Sequence, residues 1–358
     1  MAMFNETANL TDRDDSNFFL RFVKYFIPWK GDKSSEVVRK AAFCASLVLF
    51  SMSLNKLSDY LGASREEQKS YIQEVVVQYE PKFDGNVSYD ANKGADDYDA
   101  ADPEASQQKL KLQDWAKPLL KRNKDVIGWI KIPGFTDYSG EEYVNFPVLR
   151  GEDNKYYLLK NLDKEHYESG SIFIDYASVM DENGQTDNIT VFGHHMGYVG
   201  TSFTHLSEYE QGVDFLKKYP IIEFNSIYES GRRYAIVRCF AINTEPEDDG
   251  GDVWEYVGCR DFNDDDNKFE DWYDQISKRS WYSSNIKCTE DDKYITLSTC
   301  SKLLKDLRWV IVAKKLTPDD NIDQIVKSYK ERPDKDIYFP KYWRDLYGNN
   351  KVYKGWEY

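Results

Sequence analysis

Lys293-Tyr-Ile-Thr-Leu-Ser-Thr-Cys300-Ser-Lys-Leu-Leu-Lys-Asp-Leu-Arg308-Trp-Val-Ile-Val-Ala-Lys-Lys315 reads as two strands joined by a short loop. Tyr294 to Thr299 is rich in β-branched and aromatic residues, and Arg308 to Ala313 alternates in the same way, so both halves favour a pleated backbone. A short connection makes them antiparallel neighbours. Cys300 then ends one strand where Arg308 starts the next, and a thiol and a guanidinium share one edge of the sheet.

That pairing has a chemical meaning. The thiolate is the nucleophile, and a fixed positive charge favours either the thiolate or the oxyanion formed when it attacks a carbonyl. The base comes from upstream. Asn188-Ile-Thr-Val-Phe-Gly-His194-His195-Met196 is an apolar strand running into Gly-His, which again sets a titratable side chain at a strand end. Cys, His and Arg at three strand ends supply a nucleophile, a proton carrier and an electrostatic clamp. Among His166, His194, His195 and His205, the residues alone leave the base open. A zinc site is disfavoured, because adjacent histidines do not readily chelate one ion and no Cys pair stands at ligand spacing.

At these residues the chain resembles the sortase family. Thr296-Leu-Ser-Thr-Cys300, Arg308-Trp-Val-Ile-Val-Ala-Lys314 and Phe192-Gly-His-His-Met196 carry the likeness. Asp125-Val-Ile-Gly-Trp-Ile-Lys-Ile-Pro-Gly134, Phe146-Pro-Val-Leu-Arg-Gly151 with Tyr156-Tyr157, and Gly170-Ser-Ile-Phe-Ile-Asp-Tyr176 narrow it to class B. The likeness runs over Gln107 to Lys315, and it rests on the order and spacing of the motifs together. It implies a closed eight-stranded β-barrel with flanking helices, and a cysteine transpeptidase with Cys300 as nucleophile, His194 as base and Arg308 as clamp. Ser298 and Thr299 then either shape the groove for a sorting signal or are ordinary strand residues. The implied partners are secreted proteins bearing a C-terminal sorting signal and an amine acceptor, from a peptidoglycan precursor or a pilin lysine. No cofactor and no metal is expected.

Composition agrees with an enzyme of this kind working outside a nucleic-acid context. The 358 residues carry a net charge of -15, whereas a nucleic-acid partner calls for a basic face. Five cysteines are too few for a disulfide scaffold of this length. Cys239, within Tyr234-Ala-Ile-Val-Arg-Cys-Phe-Ala-Ile242, reads as a core residue; Cys259 and Cys288 are either free or paired with each other; Cys44 belongs to the N-terminal apolar run.

That run gives the compartment. Ala41 to Leu54 is uncharged and follows Arg39-Lys40. About fifteen residues cover about 22 Å at ~1.5 Å each, short of a ~30 Å hydrocarbon core. Snorkelling by Arg39, Lys40 and Lys56 extends the reach. The basic residues sit on the N-terminal side, as an uncleaved single-pass anchor with its bulk outside the cell requires. The expected organisation is a cytoplasmic segment over 1–40, an anchor over 41–57, a juxtamembrane helix and acidic stalk over 58–106, a catalytic domain over 107–316, and a basic, aromatic extension over 317–358. Asn17 to Trp29 reads either as a membrane-surface segment or as an ordinary amphipathic helix.

Within the catalytic domain, Lys109 to Lys121 reads as a helix opening the fold. Strands are expected at 127–132, 146–149, 171–175, 188–192, 221–225 and 234–242, and the two strands first quoted bring the number to eight, enough to close a small barrel. An insertion between Thr244 and Lys293 carries an acidic run and a helix over Lys268 to Tyr282, a class B feature. Asp261-Phe-Asn-Asp-Asp-Asp-Asn267 invites a calcium-loop reading, but Asp266 stands where the loop needs Gly and Trp272 where it needs Glu, so it reads as a solvated acidic loop. The Ser301 to Leu307 loop carries Lys302 and Lys305, which suit an acidic acceptor. The extension either packs on the domain or contacts wall polymer. Two other readings of the whole remain open: a pilin-polymerising enzyme, and a non-catalytic membrane scaffold that keeps the barrel without the chemistry.

Overall fold

The computed structural model describes residues 23–81, 109–197, 200–246, 253–262, 268–300 and 307–352. The stalk beyond Pro81, the calcium-like loop beyond Phe262 and the lysine-bearing loop before Leu307 fall outside them, as do residues 17–22 of the aromatic stretch ending at Trp29. The chain divides into two compact units, Met1–Glu67 and Gln68–Tyr358.

Eight strands close into a barrel. They are β1 (Val126–Lys131), β2 (Asn145–Arg150), β3 (Ile172–Ile174), β4 (Asn188–Phe192), β5 (Ile221–Ser226), β6 (Arg233–Asn243), β7 (Tyr294–Cys300) and β8 (Leu307–Lys315). The order around the barrel is β1-β2-β3-β4-β7-β8-β6-β5, and β5 pairs back onto β1. Two neighbours are parallel, β2 with β3 and β4 with β7; the other pairs are antiparallel. Closure leaves no unpaired edge. All eight strands lie where the alternation of the sequence sets them.

The helices depart from the sequence reading in three places. Lys109 to Lys121 is not one helix: α2 spans only Ala116–Arg122, and Leu110 and Gln113 instead donate backbone bonds to Glu182 O and Ile227 O, at 2.8 Å each. Pro118 is the reason. Its ring lacks an N–H and clashes one turn back, so a helix can start just before it but cannot run through it. The anchor and the juxtamembrane helix are one uninterrupted element, α1 (Ser34–Tyr79). By length and composition it is the one helix among the described residues able to cross a membrane. The end of α1 belongs to the barrel unit: Gln68 and Val75 are buried, Gln68 O accepts from the Tyr167 hydroxyl at 2.9 Å, and Tyr71 donates to Asp163 at 2.7 Å. The folded unit thus begins well before residue 107.

α3 (Val213–Lys218) precedes β5, and α4 (Lys268–Arg279) is the expected insertion helix, three residues shorter than read. Its Phe269, Trp272 and Ile276 recur at helical spacing and are buried around Tyr294 of β7, with ring centroids 4.9 Å apart for Trp272 and Tyr294. Glu270 and Asp271 in its first turn and Lys278 and Arg279 in its last complement the helix dipole. Beyond β8, α5 (Ile322–Ser328) and α6 (Lys341–Tyr347) pack on the barrel unit, with Tyr329, Phe339 and Trp343 buried.

Candidate active site

The β7–β8 register pairs Cys300 with Arg308. Directly opposed residues project from the same face, so the guanidinium reaches the thiol: Arg308 Nη1 donates to Cys300 Sγ at 3.3 Å. Both side chains are partly exposed, which gives a substrate access and keeps the charge hydrated.

His194 arrives on the other side of β7. β4 and β7 run parallel with Phe192 beside Ser298, and Gly193 N–H continues the pairing to Ser298 O at 3.2 Å. Two residues past Phe192 comes His194, and two past Ser298 comes Cys300, so both side chains leave the same end of neighbouring parallel strands. His194 Nε2 bonds Leu158 O at 2.8 Å. A carbonyl only accepts, so Nε2 carries the proton and Nδ1 is the nitrogen left for exchange. The loop that supplies Leu158 O is tightly fitted. Gly170 holds φ +55°, and a Cβ there would collide with that same carbonyl oxygen.

Ser298 and Thr299 separate by alternation. Ser298 shares the face of Cys300 and is buried, its Oγ 2.7 Å from the Tyr256 hydroxyl. Thr299 turns to the other face and is buried too, with no partner for its hydroxyl among the described residues. The other histidines stand elsewhere. His205 is buried in a 3-10 turn over Thr204–Gln211 and stacks on Tyr143 with centroids 3.7 Å apart; His195 pairs with Ser202 in a two-stranded hairpin; His166 bridges to Lys160.

Tyr256 is the site residue that sequence reasoning missed. It sits in the insertion, nearly fully buried, within electrostatic reach of Cys300 and Arg308, and burial pushes its phenol up. No motif marks it. The insertion that carries it is fastened to the barrel start of β4 and β7. Asp187 binds Lys293 and accepts from Phe262 N–H at 2.8 Å, while Asn188 Nδ2 donates to Cys259 O at 2.8 Å and its Oδ1 accepts from Thr296 at 2.8 Å. The five cysteines are all free; Cys239 is fully buried, and burial raises its thiol, as it raises those of Cys259 and Cys288. Among the described residues no group of three or more His, Cys, Asp or Glu could hold a metal.

A partly exposed thiol on a strand end, a guanidinium on it and an imidazole at the end of the adjoining strand can form and resolve an acyl thioester. The comparisons with known proteins agree in kind. The Sortase domain family matches residues 142–316. Sortase B of Staphylococcus aureus is 31% identical over 230 residues, 61% of this chain and 85% of that protein. Sortase B of Listeria monocytogenes is 32% identical over 241 residues, 67% of this chain and 87% of its own length. A solved Staphylococcus aureus sortase B–substrate complex is similar at 29% identity and a TM-score of 0.49, covering 60% of this chain and 89% of the other. The chain belongs to the sortase family of cysteine transpeptidases, in its class B branch.

Proposed function

We propose that this protein is a membrane-anchored transpeptidase that cleaves a C-terminal sorting signal through a thioester on Cys300 and joins the new C-terminus to a cell-wall amine. Cys300 Sγ attacks the scissile carbonyl, and the oxyanion develops against the Arg308 guanidinium. His194 gives a proton to the leaving amine, takes one from the incoming amine, and is restored when the thioester is resolved. Ser298, buried beside the thiol under Tyr256, shapes the groove wall from behind. α1 serves as the single span, with Arg39 and Lys40 on the cytoplasmic side and the barrel outside.

The observation that carries this reading is the Arg308–Cys300 contact at 3.3 Å on one rung. Nothing in barrel stability calls for a half-exposed thiol held by a guanidinium. Full-length protein in detergent, incubated with a library of sorting-signal peptides and an amine such as oligoglycine, tests it by intact-mass spectrometry. An acyl adduct on Cys300 that passes to the amine is the expected result, and Cys300→Ala must abolish it. A folded protein giving no adduct with any peptide would leave the non-catalytic scaffold as the better account.

A further inference from the structure

Residues beyond Leu316 lie outside the stretch matched by the Sortase domain family, and a small closed barrel does not need them. They nevertheless connect, through one intervening ring, to the rung adjoining the thiol. Next to the Cys300–Arg308 rung on β7 and β8 is the rung Thr299–Trp309, whose side chains turn to the opposite face. The buried Trp309 ring stands 4.9 Å from Trp281, and Trp281 stands 5.7 Å from Trp343 of α6. Trp343 in turn stacks on Phe339 at 5.6 Å and 13°. A continuous line of rings therefore runs from the C-terminal extension to the catalytic rim.

How the rings are fixed differs along this line. The indole N–H groups of Trp281 and Trp309 have no hydrogen-bond partner among the described residues, so packing alone sets these two rings. Trp343 is pinned: its Nε1 donates to Asn350 O at 2.9 Å. The backbone near Trp281 is also held, Trp281 N–H to Cys239 O at 2.8 Å and Arg332 N–H to Trp281 O at 2.9 Å, while the Arg332 guanidinium closes the end of α4 on Ser277 O at 2.5 Å and Ser280 O at 2.6 Å. From the face of the thiol, Tyr256 covers Ser298. The last residues of β7 and the first of β8 are thus flanked on one face by Tyr256 and on the other by Trp281, both from the insertion, and Trp281 is backed by Trp343 of the extension.

We propose that Trp343 is a positioning residue for the transpeptidation centre: through Trp281 and Trp309 it sets the spacing of Cys300 and Arg308. This rests on the transpeptidase reading above. Packed interiors transmit displacement rather than absorb it, and a misplacement of about 1 Å at reacting groups costs on the order of 100-fold in rate. Truncating Trp343 removes the nearer of the two extension rings against Trp281, leaving Phe339 at 6.3 Å, and Trp281 and then Trp309 shift into the space.

The test compares full-length wild type, Trp343→Ala and Trp343→Phe, each well below its melting midpoint. Two readouts are taken: the rate of Cys300 alkylation by iodoacetamide, resolved by peptide mass spectrometry from about pH 5 to about pH 9 where His and Cys titrate, and kcat and KM with a peptide that acylates Cys300. Trp343→Ala is expected to lower kcat roughly tenfold with KM little changed, and to displace the pH profile of alkylation; Trp343→Phe is expected to restore most of both. A folded Trp343→Ala with the wild-type profile and kcat, its effect confined to a lower melting temperature, overturns the proposal. Should Trp343→Ala not fold, Phe339→Leu takes its place with the same two outcomes. A displaced alkylation profile in a protein that no peptide acylates supports the positioning role and counts against the transpeptidase reading.

Discussion

Gly193→Ala is a methyl group added where the barrel has no room for one. The new Cβ would stand 2.5 Å from Ile172 Cδ1 and 2.7 Å from two ring carbons of Phe203. Carbon contacts relax to about 3.5–4.0 Å, so the neighbours must retreat by about 1 Å. Both are buried, and Gly193 is not among the residues with positive φ, so the penalty is steric rather than conformational. Overpacking of this kind costs about 1–3 kcal/mol, and each kcal/mol lowers Tm by roughly 2–4 °C in a unit of this size. The functional loss should exceed the loss of stability. Phe203 N–H donates to His194 O at 3.0 Å, so a displaced Phe203 carries the His194 backbone with it. A shift of about 1 Å there predicts a fall on the order of 100-fold in acyl transfer. Ile172→Val removes the clashing Cδ1 atom and by itself costs about 0.5–1.5 kcal/mol. In the double variant the two losses should therefore sum to less than their separate values. Urea unfolding and single-turnover acylation of the four proteins measure both quantities. Strict additivity, or a Gly193→Ala enzyme as fast as wild type, would refute the steric account of this glycine.

Two further predictions concern charge. Arg308→Ala should lower the rate of Cys300 acylation by about 10²–10³-fold, the usual loss when a donor to a developing oxyanion is removed, and Arg308→Lys should recover little of it, because an ammonium lacks the planar fork; quench-flow mass spectrometry reads this, and acylation by Arg308→Ala at the wild-type rate would remove Arg308 from the chemistry. Asp163 accepts two bonds from Arg122 at 2.6 Å each and one from Tyr71, and the Arg122 bonds hold its carboxyl below the ordinary range. A carboxyl depressed in the folded state stabilises above its unfolded pKa of about 3.9 and loses that contribution as pH falls through the folded value. Asp163→Asn should therefore unfold at lower urea than wild type at neutral pH, with the gap closing in acid. A gap that does not change with pH would contradict the assignment.

The strands were legible because each alternates and is bounded by turn residues, and the Cys300–Arg308 contact was legible because a short antiparallel connection leaves few registers. His194 was harder. Its place beside Cys300 depends on a parallel pairing between β4 and β7 across more than a hundred residues, and no local pattern encodes that; only the likeness to the sortase motifs picked it from four histidines. The single proline at 118 was enough to break the helix read over Lys109 to Lys121, since helical spacing of apolar residues says nothing about backbone donors. Tyr256, Leu158 O and Trp343 carried no signal at all. Each acts through a position in space, as a hydroxyl on Ser298, an acceptor for His194, or a ring against Trp281, and those positions exist only once the barrel is closed.

The topology explains why the added segments converge on the thiol. In a parallel pair both C-terminal ends lie at one edge, so β4 and β7 deliver His194 and Cys300 to the same rim, and antiparallel β8 starts there with Arg308. β6 also ends at that rim, since its last residue, Asn243, pairs with Leu307. The insertion between β6 and β7 therefore leaves the barrel beside the site and needs only a short path to set Tyr256 over Ser298. β8 instead ends at the far side, with Lys315 opposite Tyr234. A chain leaving from there has no topological reason to approach the thiol, yet it returns along the barrel, buries Tyr329 on Ile236 O at 2.6 Å, and delivers Trp343 to Trp281. Merely covering apolar surface near β8's end would have taken a shorter path, so the length of the return argues that the extension serves the rim rather than the barrel wall.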